Sequence, residues 1–135
     1  MDKFDINTWV RCDGDHHGLA VANLPEKNVL HHYAWEVQDW GALGQYCDEI
    51  ARDGYTLDWG PVRHGPGFNL ATYVKDADGC AIEVYTDLLR IDDDENYVPV
   101  DWSNEPRALN LWGPGPEEGF LDIGLPILGP TSVTA

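Results

Sequence analysis

Basic side chains are scarce: 8 Lys and Arg stand against 24 Asp and Glu in 135 residues, a formal charge of −16 with the histidines neutral. Polyphosphates need a surface of the opposite sign, so DNA and RNA are excluded as expected partners, and anionic membrane surfaces are disfavoured on the same ground. No apolar run approaches the roughly 18 residues of a membrane span. The opening Met1-Asp2-Lys3-Phe4-Asp5 has neither the basic nor the apolar region of a secretory signal. Cysteine is limited to Cys12, Cys47 and Cys80, odd in number, far apart and without a CxxC pair. They are expected to be reduced, mostly buried thiols of a cytoplasmic protein. The P-loop, GxGxxG, GxSxG and HExxH motifs are all missing. Asp76-x-Asp78-Gly79 has a calcium loop's residue types but the wrong ligand spacing, and Asp92-Asp93-Asp94-Glu95 is expected to be a solvated charge run.

What is present suffices for one packed domain. Hydrophobic residues make up 43%, with six Trp and six Tyr, richer than a disordered acidic chain. Short strands are expected at 6–10, 16–23 and 30–37, with a turn at Asp13-Gly14 and a loop at Pro25–Asn28. Asp39 is a good helix N-cap, Leu43, Tyr46, Cys47 and Ile50 follow at helical spacing, and Gly54 is a stop, which predicts one amphipathic helix at 39–53. Further strands are expected near 56–62, 68–75 and 80–86. The order from residue 30 is strand, helix, strand, strand, strand. Beyond residue 87 the pattern fades. Between Asp87 and Asp122 ten acidic residues face two basic ones, and six of the nine prolines lie at Pro99 or later. That composition suits an extended arm wrapped over a surface.

Five histidines and one carboxylate hold the chemical interest. His16-His17 and His31-His32 each stand at the start of a candidate strand, where alternation lets only one of each pair face a given site. His64 follows Arg63 in the Gly/Pro-rich stretch from Gly60 to Gly67. Glu83 sits inside the apolar run Cys80–Tyr85, where burial is costly without a partner. A solvated strand face, an arginine partner, and a metal or catalytic role all remain open for it. Residues Asp76-Ala77-Asp78-Gly79 predict a hairpin with a three-residue loop and Gly79 left-handed. Asp76 then faces Cys80, and Tyr73 lies opposite Glu83 on the same face. A four-residue loop would put them on opposite faces.

Taken in order, Asp15-His16-His17-Gly18-Leu19-Ala20-Val21, Leu30-His31-His32, Gly60-Pro61-Val62-Arg63-His64-Gly65, Tyr73 and Asp76-x-x-Gly79-x-x-x-Glu83 resemble the C-terminal domain of extradiol ring-cleavage dioxygenases of the catechol 2,3-dioxygenase and homoprotocatechuate 2,3-dioxygenase type. These belong to the vicinal oxygen chelate (glyoxalase, bleomycin resistance and dioxygenase) superfamily. The offsets match too: 15 residues from His17 to His32, then 32, 41 and 51 from His32 to His64, Tyr73 and Glu83. The resemblance implies an α+β fold: one complete βαβββ module at about 30–86, preceded by the last two strands of another, together spanning 1–87. An acidic, Pro-rich arm at 88–135 would pack on the domain.

It further implies extradiol cleavage of a catecholic substrate with dioxygen at a mononuclear Fe(II) site, or Mn(II) in some members, held by two histidines and one carboxylate. His32 matches the second histidine ligand and Glu83 the carboxylate. His17 matches the acid–base residue, His64 a histidine beside the substrate, and Tyr73 the tyrosine that hydrogen-bonds a catecholic oxygen. Trp9 falls near an aromatic that lines the pocket in some members. Arg107 could meet a substrate carboxylate or form a surface ion pair. The position of the family's first histidine ligand falls before Met1, so the chain is expected to be a fragment of a longer enzyme, or to complete its site with a second polypeptide as a homo-oligomer. Two other readings stay open. One is a metal-weak binding module of the same fold, a dimer like bleomycin-resistance proteins. The other is a glyoxalase-like isomerase or a metal-dependent transferase.

Overall fold

The structure is a computed structural model that describes residues 1–4, 7–24 and 28–127. Ile6 at the start of the first expected strand, most of the loop at 25–28 and the end of the arm lie outside the described residues. Strands β1 (Asn7–Val10) and β2 (Leu19–Ala22) form an antiparallel pair. Two short strands follow, β3 (Val29–Leu30) and β4 (His32–Glu36). Asp39 then caps helix α1 (Trp40–Arg52), its Oδ1 accepting from the Ala42 N–H at 2.9 Å and satisfying one of the orphan donors of a first turn. Gly54, at φ 85°, follows the helix in the left-handed conformation that costs glycine least.

Strands β5 (Trp59–Arg63), β6 (Leu70–Lys75) and β7 (Ala81–Thr86) complete the module. The sheet order is β4-β7-β6-β5, with β4 parallel to β7 and the other pairs antiparallel. Pro61 lies where the β5–β6 register shifts, on the edge strand, the place a residue without an N–H is tolerated. The β6–β7 hairpin has the expected loop: Gly79 is at φ 86°, the Asp76 N–H donates to the Cys80 carbonyl at 2.9 Å, and Tyr73 pairs with Glu83. Asp76 Oδ1 accepts from the N–H groups of Asp78 and Cys80, both at 2.9 Å, so this carboxylate builds the turn.

Alternation along β6 and β7 makes a sheet with two different faces. Leu70, Ile82 and Val84 meet Leu43, Val37 and Tyr46 on the helix side. Ala71, Tyr73 and Tyr85 point the other way, into a second apolar group with Val62, Trp59, Ile123 and Phe120. Glu83, which pairs with Tyr73 in register, belongs to this second face.

Several expectations need correction. The strand expected at 30–37 is broken at His31: Val29–Leu30 pairs with β8 (Leu125–Pro126) from the arm, and only His32–Glu36 joins the main sheet. The strand expected from residue 16 begins at Leu19, because the His16 N–H is taken by the Leu89 carbonyl and the Gly18 N–H by Val10. Neither histidine pair therefore alternates across a strand. Of the cysteines only Cys80 is buried; Cys12 is exposed and Cys47 half-buried, all three as free thiols. The acidic run is exposed, yet Asp94 pairs with Arg11, and Asp92 lies 3.5 Å from Arg90.

The acidic segment beyond residue 87 makes backbone contacts with the N-terminal residues, with the end of β5 and with the turn after it. Lys3 N–H donates to Val100, Trp102 N–H to Lys3, Gly65 N–H to Ala108 and Leu111 N–H to Arg63. A 3-10 turn at Phe120–Asp122 sets the Phe120 side chain against the second face. Gly65 fits only because it lacks a side chain: a Cβ there would stand 2.6 Å from the Trp102 ring and 2.9 Å from the Ala108 carbonyl.

Candidate active site

Five of the residues singled out by sequence converge around the second face of the sheet. Tyr73 (β6) and Glu83 (β7) are both buried, at 4% and 6% exposure. His32 opens β4, and its Nε2 lies 3.2 Å from Glu83 Oε2. His64, just after β5, has Nε2 2.8 Å from the Tyr73 hydroxyl and Nδ1 2.7 Å from the Leu109 carbonyl. His17 lies close enough for Glu83, His64 and His32 to act on it electrostatically. Trp9 flanks the neighbouring histidines, its ring centroid 5.9 Å from His16 and 6.3 Å from His17. Arg107 is not brought into this group: it is exposed on the arm, 3.8 Å from Glu105.

Hydrogen-bond bookkeeping assigns the protons. A carbonyl only accepts, so His64 carries its hydrogen on Nδ1, toward Leu109. Burial pushes the His64 pKa down against the pull of Glu83, so the ring is neutral and its Nε2 accepts from the Tyr73 hydroxyl. Tyr73 stays protonated, because burial and the adjacent Glu83 carboxylate hold its pKa well above the usual value. Burial alone would raise the Glu83 pKa, but its neighbours, the His32 ring first among them, outweigh it, and the group is a carboxylate. Burial first, then the neighbouring His16, push His17 down to about 4. An anionic ligand brought into the pocket would raise it again.

The same reasoning tests the site for a metal. His31 Nε2 lies 2.9 Å from the Phe120 carbonyl, and His31 Nδ1 lies 2.7 Å from His32 Nδ1. The carbonyl fixes the His31 hydrogen on Nε2. Its Nδ1 then accepts from His32 Nδ1–H, and His32 presents a lone pair on Nε2. Glu83 Oε2 faces that lone pair with another, so a cation or a proton belongs between them. Donors at bond lengths of roughly 2.0–2.2 Å on adjacent corners of a metal's coordination shell stand roughly 3 Å apart, close to the 3.2 Å observed. His32 and Glu83 therefore fit two adjacent positions of such a shell. Among the described residues no group of three His, Cys, Asp or Glu side chains is arranged to hold a metal ion.

Sequence reasoning missed the supporting residues. Asn69 Nδ2 donates to Glu83 Oε1 at 3.0 Å, holding the carboxylate from its other side. Alternation from Tyr73 through Ala71 to Asn69 was the available signal. Trp59 stacks on Tyr73 at 5.3 Å between ring centroids, and Phe120 meets Tyr73, Trp59 and His31 edge-on, each at 5.2 Å. Nothing local in the sequence brings Phe120, 47 positions beyond Tyr73, to this wall.

Residues 3–84 match the family model described as the Glyoxalase/Bleomycin resistance protein/Dioxygenase superfamily. The chain belongs to this superfamily, and its βαβββ module is that of the fold. Among curated proteins it is similar to metapyrocatechase 2 of Cupriavidus necator, 36% identical over 107 residues, covering 79% of this chain and 33% of the relative. Among solved structures it resembles homoprotocatechuate 2,3-dioxygenase from Brevibacterium fuscum in complex with 3,4-dihydroxyphenylacetate, with a TM-score of 0.79 at 22% identity, covering 88% of this chain and 38% of that one. The Mn(II)-bound glyoxalase from Novosphingobium aromaticivorans matches with a TM-score of 0.78 at 22% identity, over 96% and 42%. The chain thus spans about a third of the length of the curated relative it matches. No helix among the described residues is long and apolar enough to cross a membrane.

Proposed function

We propose that this chain carries part of an extradiol ring-cleaving site, acting on a catecholic substrate and dioxygen. The observation that carries the reading is the His32–Glu83 edge, whose facing lone pairs call for a cation or a proton between them, set beside a protonated Tyr73 and a neutral His17. His32 and Glu83 would hold Fe(II), with Mn(II) accepted by the same donors. When bound, the metal supplies the redox centre that couples the electron-rich ring to dioxygen.

The chain's own residues account for the rest. Neutral His17 has a lone pair to take a phenolic proton and later return it. Tyr73 is a hydroxyl kept from ionising; turned from His64 Nε2 to a substrate oxygen, its one hydrogen would stabilise negative charge there. His64 stands behind it, its Nε2 on the Tyr73 hydroxyl and its Nδ1 anchored on Leu109. Trp59 and Phe120 supply flat apolar surface against an aromatic ring and keep water out. The third protein donor comes from a strand placed beside β2, either N-terminal polypeptide of a longer enzyme or a second chain. The outer edge of β2 has no strand partner among the described residues, and Leu19 and Val21 on it are exposed.

The test is anaerobic loading with Fe(II), addition of catechol, then admission of air. A yellow ring-opened product that fails to form with Glu83→Ala supports the proposal. Absence of colour both in this chain and in one extended N-terminally by a strand that pairs with β2 refutes it.

A further inference from the structure

His16, adjacent to the acid–base residue, is fully buried at 0% exposure and is turned toward another buried group, Asp2. The Asp2 carboxylate is heavily used. Its Oδ1 accepts from the Tyr97 hydroxyl and from the Val100 N–H at 2.9 Å, and its Oδ2 accepts from Trp102 Nε1 at 2.9 Å. Burial would raise its pKa, but these donors and His16 outweigh it, and Asp2 stays ionised. His16 Nε2 is 3.4 Å from Asp2 Oδ2, its facing ionised group, and makes no hydrogen bond of ordinary geometry among the described residues. Its other nitrogen, Nδ1, lies 2.9 Å from His17 Nδ1.

We infer that Asp2 and His16 are positioning residues that fix which nitrogen of His17 is the base. Burial keeps His16 neutral, so it has one N–H. With that hydrogen on Nδ1, a bare Nε2 lone pair would face a carboxylate in a dry interior, which is repulsive. The hydrogen therefore sits on Nε2, on the side of the Asp2 carboxylate. His16 Nδ1 is then an acceptor and must receive the hydrogen of His17 Nδ1. His17 is left with its lone pair on Nε2. A buried carboxylate setting an imidazole's tautomer is a known device of acid–base catalysis; here it acts through a second imidazole. The relay also gives the arm a chemical role, since Tyr97, Val100 and Trp102 hold Asp2 in place. Gly67 keeps room for both rings: a Cβ there would be 3.1 Å from His17 Cε1 and 3.3 Å from His16 Nδ1.

The inference rests on the proposed role of His17 as the base, but its test needs neither metal nor turnover. Long-range 1H–15N NMR of the metal-free chain reads the protonation of each ring nitrogen. The expected result is His17 with Nδ1 protonated and Nε2 bare at neutral pH. Asp2→Asn should reverse it. Two donors, Tyr97 and Val100, hold Oδ1 against one, Trp102, on Oδ2, so the new amide oxygen stays with the pair and its NH2 takes the place of Oδ2, facing His16 Nε2 and turning the Trp102 N–H away. His16 then donates from Nδ1, and His17 carries its hydrogen on Nε2. A folded Asp2→Asn chain with the wild-type His17 tautomer overturns the inference. If that variant does not fold, the wild-type spectrum decides: His17 protonated on Nε2 overturns it. A failure of ring cleavage would leave this spectrum unchanged, so the two claims fail separately.

Discussion

Acidifying the metal-free chain from pH 7.5 to 5.0 should destabilise it, and His17 should supply a measurable share. In the unfolded chain this histidine titrates near 6.5; in the folded protein burial and His16 hold it at about 4. Between those values the unfolded state binds more protons, so stability falls as pH drops through 6.5 and the loss levels off near 4. At pH 5.0 the unfolded ring is almost fully charged and the folded ring almost neutral. The resulting penalty is about 2 kcal/mol relative to pH 7.5, and on the order of 3 kcal/mol below both values. These are upper figures, because solvent reaches part of the ring. His16 and His64 are also held neutral by burial and act in the same direction. Protonating surface carboxylates works the other way by relieving the self-repulsion of a chain with net charge −16, so the informative quantity is a difference. Urea unfolding followed by tryptophan fluorescence, in EDTA, should show a midpoint drop smaller by about 1 M in His17→Gln than in wild type, for an m-value of roughly 2 kcal/mol/M. Superimposable pH dependences for the two proteins would refute the burial argument.

Two further perturbations test other contacts. Tyr73→Phe removes the donor that satisfies His64 Nε2 and should cost about 1–3 kcal/mol in urea unfolding, as for an orphaned buried acceptor; a change below about 0.5 kcal/mol would contradict the hydrogen-bond assignment. Gly65→Ala drives a methyl into the Trp102 ring and the Ala108 carbonyl. The arm should lift there, read as faster proteolysis between residues 88 and 112 and a red-shifted tryptophan emission.

The parts of the fold legible in sequence are those governed by short-range rules. Asp39 and Gly54 bracket the helix because capping and left-handed backbone are local chemistry. The Asp76–Cys80 turn fixed the β6–β7 register, and with it the placing of Tyr73 beside Glu83. The histidine pairs were misread for a physical reason: strand alternation does not apply to His16 and His31, which stand outside the strands and turn their rings onto their neighbours. Asp2, Phe120 and Leu109 reach the site through contacts spanning tens of residues, set by the path of the arm and not by any periodicity. Family spacing found the residues that would do the chemistry; it is silent on those that hold their protons in place.

The central claim is that His32 and Glu83 form one edge of a metal site, and a Mn(II) titration followed by NMR tests it most directly, since paramagnetic broadening locates even a weakly held ion. Broadening centred on His32, Glu83 and their neighbours in β4 and β7, and abolished in Glu83→Ala, is the predicted result. Broadening confined to the acidic run Asp92–Glu95, or undiminished at His32 in Glu83→Ala, would contradict it.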